Sequence, residues 1–206
     1  GEAFGYTSWK AVKIAIEEMV APLLVGKDMS NIPELLLTLQ KSLHLFGRYG
    51  ITMFAISGVE IALWDALGKE KNKPIHELLG KKNKDLFKAY SSLFRYGDPK
   101  IIEQKCKQSL DDGYQAIKLH EIENDCIEAG RKGTGNLPLM LDTNCPWTYE
   151  ETISKKDFLK SMKLTWLEEP IYPPEDYETL AKLNEELGIP ICLLYTSDAA
   201  DDVASV

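Results

Sequence analysis

Three apolar runs in this chain each end in a polar cluster, and the clusters return at nearly one interval. The first is Ala116-Ile117-Lys118-Leu119-His120, the second Leu139-Met140-Leu141-Asp142-Thr143-Asn144, and the third Thr165-Trp166-Leu167-Glu168-Glu169-Pro170. Lys118 lies 24 residues before Asp142, and Asp142 lies 26 before Glu168. One strand, one returning helix and two loops need about that much chain, which is the unit of a parallel α/β sheet or barrel. In such folds the C-terminal ends of neighbouring strands share one face, where ligands bind. A basic pair, a carboxylate with an amide, and a carboxylate pair are therefore expected together. That is how an enzyme's groups are arranged.

The rest of the chain fits this reading. From Leu86 onward, strands are expected near Leu86–Ser92, Tyr114–Leu119, Leu137–Leu141, Leu164–Leu167 and Ile189–Ile191. Helices are expected near Pro99–Asp111, Ile122–Arg131, Glu150–Met162 and Glu175–Leu187. Alternation of this kind gives a parallel sheet with right-handed crossovers. A doubly wound sheet and the first half of an eight-stranded barrel both satisfy it. Polar residues at three successive strand ends favour the barrel, whose mouth gathers side chains from many strands.

Before Leu86 the periodicity is helical. A helix is expected over residues 8–25, with Ser8 as cap and Gly26 as stop. Another follows Asn31-Ile32-Pro33, and a third spans Ile51 to Leu67 with Gly68 as its stop. The third is apolar nearly all round and so is expected to be buried. A short helix near Ile75–Leu79 ends at Gly80. The polar run Lys81-Lys82-Asn83-Lys84-Asp85 is the expected junction, giving a first domain over 1–84 and a half-barrel over 85–191. Both ends look cut. The run from Cys192 to Asp202 resembles a translated sequencing adapter, so 192–206 is expected to be a non-native tail.

Composition excludes several classes of function. A net charge of −8 without a basic stripe argues against nucleic acid. The apolar stretches are read as too short for a bilayer span, and none has a signal-peptide pattern, so no membrane is expected. Cys106, Cys126, Cys145 and Cys192 lack paired metal spacing and disulfide-scaffold density. A reducing, cytoplasmic compartment is the expectation.

Asp142 and Glu168 should stand at adjacent strand ends. Two carboxylates so close repel unless a cation neutralises them, and hard oxygen ligands suit magnesium. Asn144 is placed to assist through its amide oxygen or to orient a ligand. Glu169 should point to the opposite side of the strand, as a supporting or structural group. Lys118 and His120 are two apart and face the same way, and each should depress the pKa of the other, leaving one unprotonated near neutrality. A base beside a metal-bound carboxylate substrate can remove the proton alpha to it, the cation neutralising the enolate as it forms. Trp147 and Arg95 are candidates for substrate contact, and Phe4, Tyr6 and Trp9 for the cleft or the core. Arg131-Lys132-Gly133-Thr134-Gly135 follows a helix rather than a strand, so a turn is expected there and not a phosphate loop.

Taken together, these motifs resemble the mandelate racemase and muconate lactonizing branch of the enolase superfamily. The matching stretches are Ser57-Gly58-Val59-Glu60-Ile61-Ala62-Leu63-Trp64-Asp65, Lys118-Leu119-His120, Leu141-Asp142-Thr143-Asn144 and Trp166-Leu167-Glu168-Glu169-Pro170. The resemblance runs from Gly1 to Ile191. It implies an α/β protein, with a partial α+β capping domain before a partial (β/α) barrel, and Mg2+ held by Asp142 and Glu168. It further implies a lyase acting on a small acid-sugar carboxylate, with a homo-oligomeric parent and the fragment itself inactive. Racemisation or cycloisomerisation shares the first step; a non-catalytic truncated barrel is the rival from another class. One departure concerns the base. The family's usual Lys-x-Lys is Lys118-Leu119-His120 here, leaving open which of the two acts. The other is that a third metal ligand and an opposite-face acid or base are expected beyond Ile191.

Overall fold

The computed structural model describes residues 1–80, 84 and 86–194. The chain divides into two units, Gly1–Asp85 and Leu86–Val206. In the first, α1 (Trp9–Ile14), a π-helical turn (Ala15–Val20) and α2 (Ala21–Leu24) follow one another without a break in helical backbone. Pro22 opens α2, and its ring cannot sit beneath the carbonyl four residues earlier, which accounts for the widened turn before it. Ser8 does not cap α1. Its hydroxyl donates instead to the Gly5 carbonyl at 2.8 Å, closing a 3-10 turn over Tyr6–Ser8.

Helix α3 (Ile32–Ser42) is capped by Asn31, which accepts from the Glu34 N–H, and has Pro33 in its first turn. Helix α4 (Ile51–Lys71) runs through Gly68, the expected stop, and ends at Asn72 in the left-handed conformation. Gly68 serves a close approach. A Cβ there would lie 3.0 Å from the Lys73 carbonyl, which folds back after the cap. Helix α4 buries one face, through Ala55 and Ile56, against Val12, Leu36 and Leu39, while Ile61 stays 48% exposed, so it is not buried all round. Its length and composition alone would suffice to cross a bilayer, which corrects the sequence reading; the core helix of a soluble domain passes the same test. Helix α5 is Ile75–Leu79. Among the described residues this unit holds helices and turns. Of the junction Lys81–Asp85, all but Lys84 lie outside the described residues.

The second unit alternates strand and helix: β1 (Ser91–Ser92), α6 (Pro99–Asp111), β2 (Ile117–Leu119), α7 (Asn124–Thr134), β3 (Leu139–Asp142), α8 (Tyr149–Ser154), α9 (Lys156–Ser161), β4 (Leu167–Glu168), α10 (Tyr177–Leu187) and β5 (Ile191–Cys192). All neighbouring strands are parallel, in the order β1-β2-β3-β4-β5. A doubly wound sheet reverses its order at a switch point, whereas an unreversed order is that of a barrel wall. The fold is therefore α/β with a partial barrel. The expected helix Glu150–Met162 is two helices, because Lys155 leaves helical geometry between them. Arg131–Thr134 is the last turn of α7, ended by Gly135 at φ 65°, and no phosphate loop. Gly133 lets α7 approach α6, since a Cβ there would meet the Cys106 Cβ at 2.7 Å. Strand β5 takes in Cys192, where the tail was expected to begin, through main-chain pairing that demands no particular side chain. Residues 195–206 of that tail lie outside the described residues.

Candidate active site

Register sets the site. Asp142 of β3 pairs with Glu168 of β4, and Lys118 of β2 lies beside Met140 of β3. The Lys118 ammonium donates to Asp142 Oδ2 at 3.1 Å and to both Glu168 oxygens at 3.1 Å. These side chains are 7%, 2% and 4% exposed. His120 Nε2 stands 3.3 Å from the same Asp142 oxygen. Trp166 Nε1 donates to Glu168 Oε2 at 3.1 Å. Four sequence-predicted residues thus converge on one buried cluster: Lys118, His120, Asp142 and Glu168.

The cluster has two carboxylates for one ammonium, in a place where charge is costly. Burial and the Asp142 charge push the Glu168 carboxyl up. Burial works against the Lys118 charge, but its hydrogen bonds to Asp142 and Glu168 and their charges prevail, holding its pKa above the usual lysine value. Of the mutual depression expected for Lys118 and His120, the part that concerns Lys118 is therefore corrected, since its shift is upward. His120 Nδ1 lies 2.5 Å from the Leu93 carbonyl. A carbonyl only accepts, so Nδ1 carries a hydrogen and Nε2 is the nitrogen left to exchange a proton.

Asn144 joins the cluster as a donor. Its N–H and Nδ2 reach Asp142 Oδ1 at 3.1 and 2.9 Å, while its oxygen accepts from Arg95 at 3.2 Å. The amide oxygen, expected to assist directly or to orient a ligand, faces Arg95 in this structure, while the NH2 faces Asp142. Glu169 lies at φ 48° and is buried; its carbonyl accepts from the Thr143 hydroxyl at 2.9 Å and its carboxylate from the Leu194 N–H at 3.1 Å. Its bonds secure the backbone around the strand ends. Trp147 is not brought into the cluster. It packs in the core of the sheet unit, with Lys155 over its ring. Phe4, Tyr6 and Trp9 are exposed, so they are not core residues, and Phe4 meets Phe54 edge-on. Sequence reading passed over Glu121, a buried carboxylate accepting from the Tyr96 and Gly97 N–H groups. Its one signal was its place directly after His120.

Two family models match the chain: the N-terminal domain of mandelate racemase/muconate lactonizing enzyme over residues 1–80, and the enolase C-terminal domain-like family over 102–203. The chain belongs to the mandelate racemase/muconate lactonizing enzyme family of the enolase superfamily. The second match extends past Cys192. Among this family's curated members, an arabinonate dehydratase of Saccharolobus solfataricus is 34% identical over 93% of this chain and 53% of its own. Among solved structures, a 3,6-anhydro-D-galactonate cycloisomerase from Zobellia galactanivorans superposes with a TM-score of 0.83 at 27% identity, over 93% of this chain and 55% of its own. A racemase from Streptomyces coelicolor with bound magnesium gives 0.80 at 28%, over 89% and 53%. The chain spans about half the length of the curated relatives it matches.

That magnesium-bound relative makes the fit of a metal to this site a direct question. Asp142 and Glu168 offer hard carboxylate oxygens, buried and already converging on one cation, the Lys118 ammonium. Such donors suit Mg2+. Among the described residues, no group of three His, Cys, Asp or Glu side chains is placed to hold a metal. Two carboxylates, Asp142 and Glu168, are what the described residues offer to such a cation.

Proposed function

We propose that this chain carries the metal-binding and one-base part of an active site that removes the proton alpha to a carboxylate, in a magnesium-dependent acid-sugar dehydratase. The observation that carries this is a cation held between two buried carboxylates, with His120 beside it. Burying uncompensated charge costs several kcal/mol, and a chain has little reason to keep it except for chemistry. Asp142 and Glu168 would hold the magnesium, which when bound stabilises negative charge developing on the substrate. A Lys or His base alongside magnesium is the general pattern of the superfamily and not a result of this geometry.

What the geometry adds is a division of labour. Lys118 donates to both carboxylates, which hold its pKa above the usual lysine value, so we assign it the role of a hydrogen-bond donor that orients a carboxylate and faces developing charge. His120 Nε2 takes the carbon-bound proton, its ring steadied by the Leu93 carbonyl. Loss of the beta-hydroxyl then completes dehydration, the removed proton and the hydroxide leaving as water. Dehydration is preferred on the likeness to the arabinonate dehydratase. A cytoplasmic setting and a homo-oligomeric parent belong to the same proposal.

The experiment follows alpha-hydrogen exchange of arabinonate and related acid sugars in D2O by NMR, with the intact protein. Exchange should require magnesium, vanish in Asp142→Ala, and fall by about 10²-fold or more in His120→Asn, the usual size of a lost general base. Exchange that survives Asp142→Ala would sink the site. Exchange kept in His120→Asn but lost in Lys118→Met would move the base to Lys118. No exchange in the unaltered protein would favour the non-catalytic reading.

A further inference from the structure

Arg95 follows β1 and lies on no strand, yet its guanidinium joins the ends of two others. Nε donates to the His120 carbonyl at 2.6 Å, and Nη2 to the Thr143 carbonyl at 2.9 Å and to Asn144 Oδ1 at 3.2 Å. A guanidinium has donors only, so the Asn144 atom it meets must be the oxygen. The amide's NH2 is thereby turned to Asp142 Oδ1, 2.9 Å away. Asn144 also sits at φ 58°, a left-handed conformation that Asn tolerates, and its backbone N–H reaches the same Asp142 oxygen. One carboxylate oxygen of Asp142 therefore takes both donors from Asn144, and the other faces Lys118 and His120. The loop bearing Arg95 is itself pinned, since buried Glu121 accepts from Tyr96 and Gly97.

We infer that Arg95 is a positioning residue. It fixes the Asn144 amide so that Oδ1 of Asp142 is satisfied by hydrogen bonds and Oδ2 is the oxygen offered to a cation. The inference deepens the functional proposal and rests on it for the role of Asp142 as a metal ligand. Partners that orient metal ligands in this way typically contribute roughly 10–100-fold in affinity.

A double-mutant cycle tests it with two readouts. Arg95→Ala, Asn144→Ala and the double variant are compared for magnesium affinity by calorimetry. Hydrogen exchange of the Asn144 side-chain NH2 is followed by NMR without metal in the unaltered protein and Arg95→Ala. Each single change should weaken magnesium about tenfold, and the double variant no further, because both act through one contact. The NH2 exchange should accelerate in Arg95→Ala. Arg95→Lys should behave like Arg95→Ala, since a lysine lacks the planar fork that spans these acceptors. Losses that multiply in the double variant, or NH2 exchange unchanged by Arg95→Ala, would overturn the inference. If Arg95→Ala unfolds, Arg95→Lys carries both readouts. A failure of the unaltered protein to bind magnesium would count against the functional proposal, while the NH2 exchange would still decide the role of Arg95.

Discussion

The two units of this chain bury different things. Among the described residues, the helical unit buries Val12, Val20, Leu36, Leu39 and Ile56, and its one buried polar side chain is Thr52. The sheet unit buries a larger apolar core and, at its strand ends, Lys118, Glu121, Asp142, Glu168 and Glu169. Apolar burial stabilises in proportion to area. A buried ionic cluster contributes little net stability, because desolvation offsets most of the attraction. The helical unit is thus built for packing, whereas the sheet unit gives up stability at one face to keep charges in place.

The sharpest way to break this contrast is to remove one partner from each core. Lys118→Met leaves the buried Asp142 and Glu168 carboxylates without their shared ammonium and should destabilise the metal-free chain by about 3–5 kcal/mol. Chemical denaturation with and without magnesium checks it. Added magnesium should restore much of the loss, since a ligand that binds only the folded state stabilises it. A loss under about 1 kcal/mol would mean that the cluster is not the charged trap the geometry describes. Leu39→Ala in the helical unit removes a fully buried side chain and should cost about 2–5 kcal/mol through lost transfer energy and a cavity. Magnesium should leave that loss untouched. Equal metal dependence for both variants would dissolve the distinction between the units.

What the sequence revealed divides along a similar line. Helix α6 was readable in full, because Asp98 caps it and Pro99 opens it, and both signals are local. The site residues on β2, β3 and β4 were readable because strand-to-strand spacing in a parallel unit is regular and sequential register brings their ends together. Arg95 was read only as a candidate for substrate contact and Glu121 was passed over, since their bonds span 24 to 49 residues and leave no local trace. The donor role of Asn144 was hidden for the same reason. The end of α4 was misread because Gly68 looks like a stop, while its actual role is to admit the Lys73 carbonyl. The direction of the Lys118 shift was misjudged by weighing only its neighbour His120. Two carboxylates from other strands outweigh that neighbour.

The smallest effect in the comparison lies at the helix starts. Thr148 closes a full capping box on α8: its hydroxyl accepts from the Glu151 N–H at 3.2 Å, and the Glu151 carboxylate accepts from the Thr148 N–H at 2.7 Å. Thr148→Ala should therefore cost about 1 kcal/mol. Ser8, its counterpart at the start of α1, makes no cap and only donates to the Gly5 carbonyl. Ser8→Ala should stay within about 0.5 kcal/mol, as for a surface substitution away from special features. Both are read from urea midpoints at fixed slope, which separates a change in stability from a change in the unfolded chain. Equal losses would mean that the short turn over Tyr6–Ser8 secures α1 as firmly as a capping box secures α8. The helical unit would then hold its first helix by the chain before it, and the packing of Val12 and Ala15 would matter less than their burial implies.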